Sequence, residues 1–412
     1  MKKTKLDHNC KLTYFLGLGI GTLLITSTAF QAPPDFLVID THEHVESLEQ
    51  AETLLAADET AGIAKTILLP TPEETLRLNG RQSFTYYKEN TDKLLEIAEA
   101  YPKKFITFCT IDPRDPNALE YLKECHQKGG KGLKLYNGHS YYYNIFQLPL
   151  DAESMMPIYT YAQENHLPVV YHVNITNFEN ELRSVLDKFP DMVVSVPYYM
   201  VSSIHLERVM GLLDDYPNLY TNIGFGDPQF LAAGFRRITR NPGKYANFIN
   251  DYSDRILFGA NMVLSESNQR DQEYIEKNIL CYRDLLEQRT FTCEPVTEYY
   301  SSVLHGYQTR YDACEPKDED YCKELKDKTT LYEERLKQVS SLNGLNLSNS
   351  VLRDIYETNP ADFLDITLIG ETDLEMNKAN ADEPDNSEEI IENIEPETEF
   401  IEAETDSEAE AE

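Results

Sequence analysis

The sequence predicts an α/β fold, a (β/α)8 TIM barrel with a late cysteine-containing insertion and a disordered acidic tail. Between residues 36 and 259, eight short apolar runs alternate with longer segments of helical periodicity, which is the pattern of βα units around a parallel sheet. A polar region with four cysteines follows, and residues 371–412 contain 18 carboxylates but one lysine. Eight units fit a closed barrel better than an open doubly wound sheet, although one miscounted strand would weaken that choice.

The eight apolar runs are the predicted strands, and the periodic segments between them are the predicted outer helices. In segment 91–101, for example, Leu94, Leu95 and Ile97 share one apolar face. Segment 118–128 is a second such helix. The predicted strands are residues 36–40, 66–70, 105–110, 132–136, 168–172, 192–197, 219–224 and 256–259.

The amino terminus predicts export. Four lysines within residues 1–11 precede an uncharged apolar run over residues 12–30, and Ser27 and Ala29 stand at the −3 and −1 positions of a signal-peptide cleavage site. We therefore interpret residues 1–29 as a signal peptide. An uncleaved membrane anchor formed by residues 12–30 is the alternative, because the run is nearly long enough to span a bilayer. Either way the body is exported to the periplasm, the cell surface or the medium.

The cysteines agree with an oxidising compartment. Cys10 leaves with the signal peptide, and the remaining six form an even set. Four of them lie between Cys281 and Cys322, where one or two disulfides closing short loops are favoured over a metal site. Cys109 lies in a strand-like run, and we interpret it as a buried thiol.

Charge and composition divide the rest of the chain. The formal net charge of −34 excludes nucleic acid as a partner, because a phosphate backbone requires clustered Lys and Arg. Residues 35–370 form the predicted barrel, including the insertion 263–342 and a final helix over 348–363. The tail 371–412 has few large apolar groups, which predicts disorder; it either solvates the protein or binds Ca²⁺ or a basic partner. A homodimer is compatible with the sequence, which does not decide the oligomeric state.

Three histidines stand at strand ends. His42 and His44 follow the first predicted strand and lie two residues apart, so both imidazoles point to one side. His172 ends the fifth strand, at the same face of the barrel. Since barrel active sites lie at the carboxyl ends of the strands, these three side chains predict a zinc site with three imidazole ligands.

Lys134 is the one charged residue of the fourth predicted strand. A lysine inside a barrel either contacts a substrate carboxylate or pairs with an acid. The strand continues through Tyr136 into a loop that holds His139 and three tyrosines. We expect Lys134, Tyr136 and His139 to bind a small-molecule substrate or ligand.

These residues resemble the amidohydrolase superfamily, specifically the branch that contains aminocarboxymuconate-semialdehyde decarboxylase and related hydrolases. The resemblance rests on Asp40-Thr41-His42-Glu43-His44, the run 132–139, His172 and the segments 216–221 and 255–259. It implies a TIM barrel with one divalent metal, usually zinc. In that family the metal is held by two histidines of strand 1, a histidine of strand 5 and an aspartate of strand 8, and a histidine after strand 6 assists catalysis.

The sequence departs from the family at two of these positions. After strand 6 it has Pro197-Tyr198 in place of Pro-His, and after strand 8 it has Gly259-Ala260-Asn261 in place of Gly-x-Asp. Asn261 offers a neutral carbonyl oxygen and no base. Tyr198 is a poor base at neutral pH but can donate a hydrogen bond to an oxyanion.

Two functions follow, and the residues do not choose between them. One is an exported, zinc-dependent hydrolase of C–N or C–O bonds, or a related decarboxylase, that acts on a small carboxylate-type substrate with altered catalytic residues at Tyr198 and Asn261. The other is a catalytically inactive barrel that serves as a binding or interaction protein.

Overall fold

The computed structural model describes residues 36–77, 81–226, 228–315 and 319–366. Within them, parallel strands surrounded by helices form the predicted (β/α)8 barrel. The barrel strands are β1 (Ile39–Val45), β2 (Lys65–Leu68), β3 (Phe105–Thr107), β4 (Cys109–Thr110), β5 (Leu133–Gly138), β6 (Val169–Val173), β7 (Val194–Ser195), β8 (Leu219–Asn222), β9 (Ile256–Leu257) and β10 (Val263–Leu264).

The barrel closes through two junctions. One run of strands has the order β10-β1-β2-β3 and the other β4-β5-β6-β7-β8-β9. β3 and β4 are the two halves of one predicted strand, since the Phe108 N–H donates to Leu68 O and the Cys109 N–H donates to Gly132 O. At the other junction the Thr41 N–H donates to Phe258 O at 3.0 Å, which joins β1 to the end of β9. The sheet therefore has eight positions, as the sequence predicts.

Helices follow the strands and cover the barrel. The predicted helices at 91–101 and 118–128 are confirmed as α3 and α4. The helices are α1 (Leu48–Ala61), α2 (Glu73–Leu76), α3 (Tyr87–Ala100), α4 (Ala118–Gln127), α5 (Ser140–Phe146), α6 (Met156–Glu164), α7 (Ile175–Lys188), the left-handed turn α8 (Pro197–Val201), α9 (Leu206–Asp215), α10 (Pro228–Arg240), α11 (Pro242–Asp251), α12 (Gln272–Glu287), α13 (Glu294–Asp312), α14 (Glu319–Val339), α15 (Asn349–Arg353) and α16 (Asn359–Leu364).

Apolar side chains fill the barrel at the end away from the carboxyl ends of the strands. Ile67, Phe108, Val170 and Leu257 form one buried cluster with Phe363 of α16. The predicted final helix over 348–363 is present as α15, a π-helical segment (Asp354–Thr358) and α16. Because α16 packs into this cluster, the end of the barrel that remains for a site is the end at which the strands finish.

The late region is helical. α13 and α14 pack against each other as an antiparallel pair. The strand β11 (Thr290–Phe291) precedes α13, the strand β12 (Leu342–Asn343) follows α14, and the two strands pair antiparallel. The predicted disulfides are present as Cys281–Cys293 and Cys314–Cys322. The first fixes the start of α13 to α12.

The sequence predicts Cys109 to be a buried free thiol, and this prediction is wrong. Cys109 forms a disulfide with Cys125, which ties β4 to the helix that packs on it. Both cysteines are buried, so burial and oxidation occur together here. The apolar run around Cys109 predicts the burial, but nothing in that run identifies a partner 16 residues away.

The predicted signal peptide or anchor and the acidic tail lie outside the described residues. Of the helices that the structure describes, none combines the length and the apolar character needed to cross a membrane.

Candidate functional site

The predicted site residues lie within or directly after the barrel strands, most of them toward the carboxyl ends, and Lys134 is the second residue of β5. His42 and His44 belong to β1, Lys134 and Tyr136 to β5, and His172 to β6. His139 follows β5, Tyr198 follows β7 and Asn261 follows β9. Five rings form a row across this face, in the order His139, His172, Tyr198, His42, His44. The distances between successive ring centroids are 4.3, 5.1, 5.4 and 5.1 Å.

His42 and His44 form a close pair of buried imidazoles. Their Nε2 atoms are 3.1 Å apart. The Nδ1 atom of His44 lies 3.1 Å from Leu69 O and 2.6 Å from Thr71 Oγ1. Burial, and then the charge of Lys134, lower the pKa of His44 to about 3 and that of His42 well below its usual value. Both rings are therefore neutral at physiological pH.

Asn222, at the end of β8, connects His42 to Tyr198. Its Nδ2 lies 3.1 Å from His42 Nδ1, and its Oδ1 accepts from the Tyr198 N–H at 2.9 Å. The Tyr198 hydroxyl lies 3.2 Å from His42 Nε2. Asn222 was not predicted as a site residue, because it lies inside the predicted strand 219–224, whereas the observed strand β8 ends at it.

Tyr198 lies in an unusual backbone segment. Residues Tyr198, Tyr199, Met200 and Val201 all have φ between 52° and 63°. The left-handed conformation costs a non-glycine residue roughly 1–2 kcal/mol. Tyr199 and Met200 are fully buried, so packing beneath the turn holds the backbone that carries Tyr198.

Lys134 is a buried cation without a hydrogen-bond partner. Its side chain has no exposed surface, and its Nζ has no hydrogen-bond partner in the part of the chain that the structure describes. The ammonium lies 5.0 Å from the centre of the Tyr136 ring, whose hydroxyl is itself occupied, donating to Pro70 O. Burial lowers the pKa of Lys134 to about 7. Of the two roles expected for Lys134, pairing with an acid is not observed among the described residues, because its Nζ has no hydrogen-bond partner there.

His172 and His139 form a second pair of rings. His139 also caps α5, because its Nδ1 accepts from the Tyr141 N–H at 3.1 Å. Burial, and then the charge of Lys134, lower the pKa of His139 to about 4. Burial, the neighbouring His139 and Lys134 lower the pKa of His172 well below its usual value. Lys134 is therefore surrounded by imidazoles that are neutral at pH 7.

Asn261 lies beside the first pair, with a left-handed φ of 58°. Its N–H donates to His42 O at 2.8 Å. Its side chain is buried and forms hydrogen bonds with the side chains of His44 and Tyr198. A side chain on Gly226 would overlap the Asn261 amide, so Gly226 is required for this placement. The site thus holds an uncharged amide next to His44 and Tyr198.

The side chains do not fit a divalent ion in this arrangement. Nowhere in the described ranges do three His, Cys, Asp or Glu side chains form a group that could hold a metal. His42 and His44 converge at their Nε2 atoms, the His172 ring lies 4.3 Å from the His139 ring, and Asn261 supplies no anionic oxygen. The structure therefore places all three histidines expected to bind zinc at the barrel mouth, within electrostatic range of one another, but among the described residues they do not form a group that could hold a metal.

A closed (β/α)8 barrel with its titratable groups at the carboxyl ends of the strands has the arrangement of a TIM-barrel enzyme. Residues 40–366 match the family model described as Amidohydrolase. The chain belongs to the amidohydrolase family. A search of the curated proteins found no match.

Several solved structures are similar to this chain at low identity. A 4-oxalomesaconate hydratase from Rhodopseudomonas palustris is 13% identical with a TM-score of 0.46, and the match covers 84% of this chain and 99% of that one. An amidohydrolase from Burkholderia multivorans is 11% identical with a TM-score of 0.46, covering 80% and 100%. A 5-carboxyvanillate decarboxylase from Novosphingobium aromaticivorans, in complex with manganese and a nitrobenzoic acid, is 13% identical with a TM-score of 0.43, covering 80% and 96%.

Proposed function

We propose that this protein is an exported member of the amidohydrolase family that binds a small carboxylate-type substrate at the barrel mouth. We propose further that it hydrolyses a C–N or C–O bond of this substrate or decarboxylates it, with catalytic residues that differ from those of its family. The observation that carries the proposal is Lys134, a fully buried ammonium whose Nζ has no hydrogen-bond partner among the described residues.

A carboxylate is the group that Lys134 lacks. An uncompensated charge inside a protein is unfavourable by several kcal/mol, and pairing with an anion recovers much of that energy. The four imidazoles around the site have lowered pKa values, with burial as the main cause. They are neutral at pH 7 and add no positive charge. Lys134 is therefore the cation in this group that a substrate anion would meet.

Tyr198 supplies a hydrogen-bond donor to the same space. Burial raises its pKa far above neutral pH, so the hydroxyl keeps its proton. Its oxygen lies next to His42 Nε2 and forms a hydrogen bond with the Asn261 side chain, and we propose that its O–H turns to a bound ligand. A donor placed where negative charge develops stabilises a transition state. Tyr136 and His139 lie near Lys134.

A catalytically silent barrel is the second candidate function. It is favoured by Asn261 and Tyr198, which replace an acid and an imidazole with groups that take up no proton near pH 7. Under this alternative the barrel mouth binds the same carboxylate and releases it unchanged.

The test measures binding and turnover separately. Benzoate, malonate and glutarate are titrated by calorimetry into the full-length protein, a Lys134→Met variant and a matched Lys188→Met variant, because Lys188 is exposed on α7. We expect the unmodified protein to bind one of them with a Kd of about 1 mM or lower, Lys134→Met to lose that binding and Lys188→Met to keep it. Equal binding by Lys134→Met, or no binding of any of the three, would refute the proposal.

Turnover separates the two candidate functions. The acid that binds is presented in forms that keep one free carboxylate: the half-amide or half-ester of malonate or glutarate, benzoate with an amide or ester substituent on its ring, and the free acid itself. Products are followed by proton NMR. Product formation that Tyr198→Phe slows supports the enzyme. Binding without product from any of the three forms supports the silent barrel.

Export remains part of the proposal, with residues 1–29 as the signal peptide. Three disulfides within the described residues are typical of proteins from oxidising compartments. Amino-terminal sequencing of protein from the producing cells would give a start after Ala29, whereas a retained run 12–30 would indicate an anchor. Light scattering of the same sample would distinguish a monomer from a homodimer.

A further inference from the structure

The tautomer of His42 follows from the hydrogen bonds around Asn222. The side chain of Asn222 is buried. On one side, its Oδ1 lies 2.9 Å from the Tyr198 N–H and 3.3 Å from the Gly224 N–H. Both are backbone donors, so the atom that faces them must be the amide oxygen. The oxygen and nitrogen of an amide are distinguished by their hydrogen-bond partners, and here these partners assign the orientation of the Asn222 amide.

The orientation of Asn222 determines which nitrogen of His42 carries the proton. The remaining atom of the amide is Nδ2, a donor, and it lies 3.1 Å from His42 Nδ1. Nδ1 must accept this hydrogen bond, so it carries no proton. Neutral imidazole has one N–H, which therefore lies on Nε2. That N–H points to His44 Nε2 at 3.1 Å and to the Tyr198 hydroxyl at 3.2 Å.

His44 has the opposite tautomer. Its Nδ1 lies 3.1 Å from Leu69 O and 2.6 Å from Thr71 Oγ1. A carbonyl oxygen only accepts, and the Thr71 hydroxyl donates its own proton to Leu69 O at 2.8 Å. Nδ1 of His44 therefore carries the proton, and its Nε2 has the lone pair that accepts from His42. The two imidazoles satisfy each other without an ion between them. A histidine that binds a metal through Nε2 usually donates its other N–H to an oxygen; His44 meets this requirement and His42 does not.

We propose that Asn222 keeps the Nε2 lone pair of His42 from metal ions, so that this member of the amidohydrolase family has a barrel mouth that works without a divalent cation. Freeing that lone pair would place the Nδ1 proton of His42 against the Asn222 amide hydrogens. Rotating the amide would instead place those hydrogens against two backbone N–H groups. Either change leaves buried donors facing donors. Carboxylate binding by Lys134 does not depend on this inference.

Asn222→Asp is the decisive substitution, because it is nearly isosteric. One carboxylate oxygen keeps the two backbone donors, and the other accepts a hydrogen bond from the Nδ1–H of His42, so that the proton stays on Nδ1 and Nε2 keeps its lone pair free. Zinc and manganese binding to the full-length protein are measured by calorimetry and by elemental analysis of untagged protein. The variants are Asn222→Asp, Asn261→Asp, the double variant, and the double variant with His42→Ala.

We expect the unmodified protein to bind neither ion at its barrel mouth. Asn222→Asp should raise zinc affinity by about 10- to 100-fold, the usual weight of a group that orients a ligand histidine. The double variant should bind about one zinc per chain and lose it with His42→Ala. Stoichiometric zinc in the unmodified protein, abolished by His42→Ala, would overturn the proposal. So would full zinc binding through His42 in Asn261→Asp alone, or no gain in the double variant.

Nitrogen-15 NMR of histidine-labelled protein tests the tautomer directly, without metal. The His42 signal, assigned by its loss in His42→Ala, should show a protonated Nε2 and a bare Nδ1 in the unmodified protein, and the reverse in Asn222→Asp. A purely structural role for Asn222 would leave the tautomer unchanged. A proton on Nδ1 in the unmodified protein would contradict the inference.

Discussion

Replacing Lys134 by methionine should make this protein more stable. Methionine keeps a long unbranched side chain but removes a fully buried ammonium that has no hydrogen-bond partner among the described residues. Burial lowers the pKa of Lys134 from 10.5 to about 7. Between pH 7 and pH 10.5, Lys134 is therefore protonated in the unfolded chain but mostly neutral in the folded protein.

The size of the gain follows from the two pKa values. At pH 7 the difference costs the folded protein about 4 kcal/mol. The cost rises to about 5 kcal/mol at pH 5, where Lys134 is protonated in both states, and falls to about 2 kcal/mol at pH 9, where the folded protein holds it neutral. The stability of the unmodified protein should thus rise with pH from about 7 toward 10.5, relative to Lys134→Met.

The assay is urea unfolding followed by circular dichroism at pH 5, 7 and 9, with the disulfides intact. The free energy of unfolding of Lys134→Met is compared with that of the unmodified protein, and Lys188→Met serves as the exposed control. If Lys134→Met is no more stable at pH 5 and 7, or if the difference is the same at all three pH values, Lys134 is not the unpaired cation described here. If Lys134→Met is more stable but no longer binds carboxylates, then Lys134 supports binding in the unmodified protein at a cost in stability.

Three further predictions concern the same barrel. Carboxylate affinity should be constant below pH 7 and fall by up to about tenfold per pH unit above it, because Lys134 loses its proton near pH 7 while the surrounding imidazoles stay neutral; calorimetry at pH 6, 7, 8 and 9 checks this, and constant affinity up to pH 9 would contradict it. Tyr198→Phe should leave carboxylate binding within about twofold but lower any turnover by about 100-fold, the usual effect of losing one donor to a developing charge, and unchanged turnover in steady-state kinetics would exclude Tyr198 from the reaction. Cys109→Ala/Cys125→Ala should lower the free energy of unfolding by about 3 kcal/mol, as for a closed loop of this length, and a urea midpoint equal to that of the unmodified protein would show that the disulfide adds nothing.

The barrel was predictable because its strands are short apolar runs, buried from both sides and separated by helices. The first strand shows the limit of that signal. The sequence predicts it over 36–40, whereas β1 runs over Ile39–Val45 and buries His42 and His44 within the strand. Hydropathy ends a strand at polar residues, and it cannot recognise polar side chains that are buried for a function.

The site was predictable in its members but not in its connections. His42 and His44 were identified by residue type and by their position at a strand end, and Lys134 as the one charged residue within a predicted strand. Asn222 was missed because its role depends on a partner 180 residues away, which only the closed barrel brings close. The left-handed turn after Pro197 was also missed, since the segment contains no glycine or asparagine that would signal it.

The turn that carries Tyr198 has a consequence for how this site can change over time. Its backbone is held in place by Tyr199 and Met200, which point into the core, and not by Tyr198 itself. Exchanging Tyr198 for histidine would therefore keep the same backbone and present a new ring at the same point. A smaller residue beneath the turn would release the backbone and lose the position for every residue type. The side chain presented at position 198 can thus be exchanged by a single substitution, provided that Tyr199 and Met200 below it stay in place.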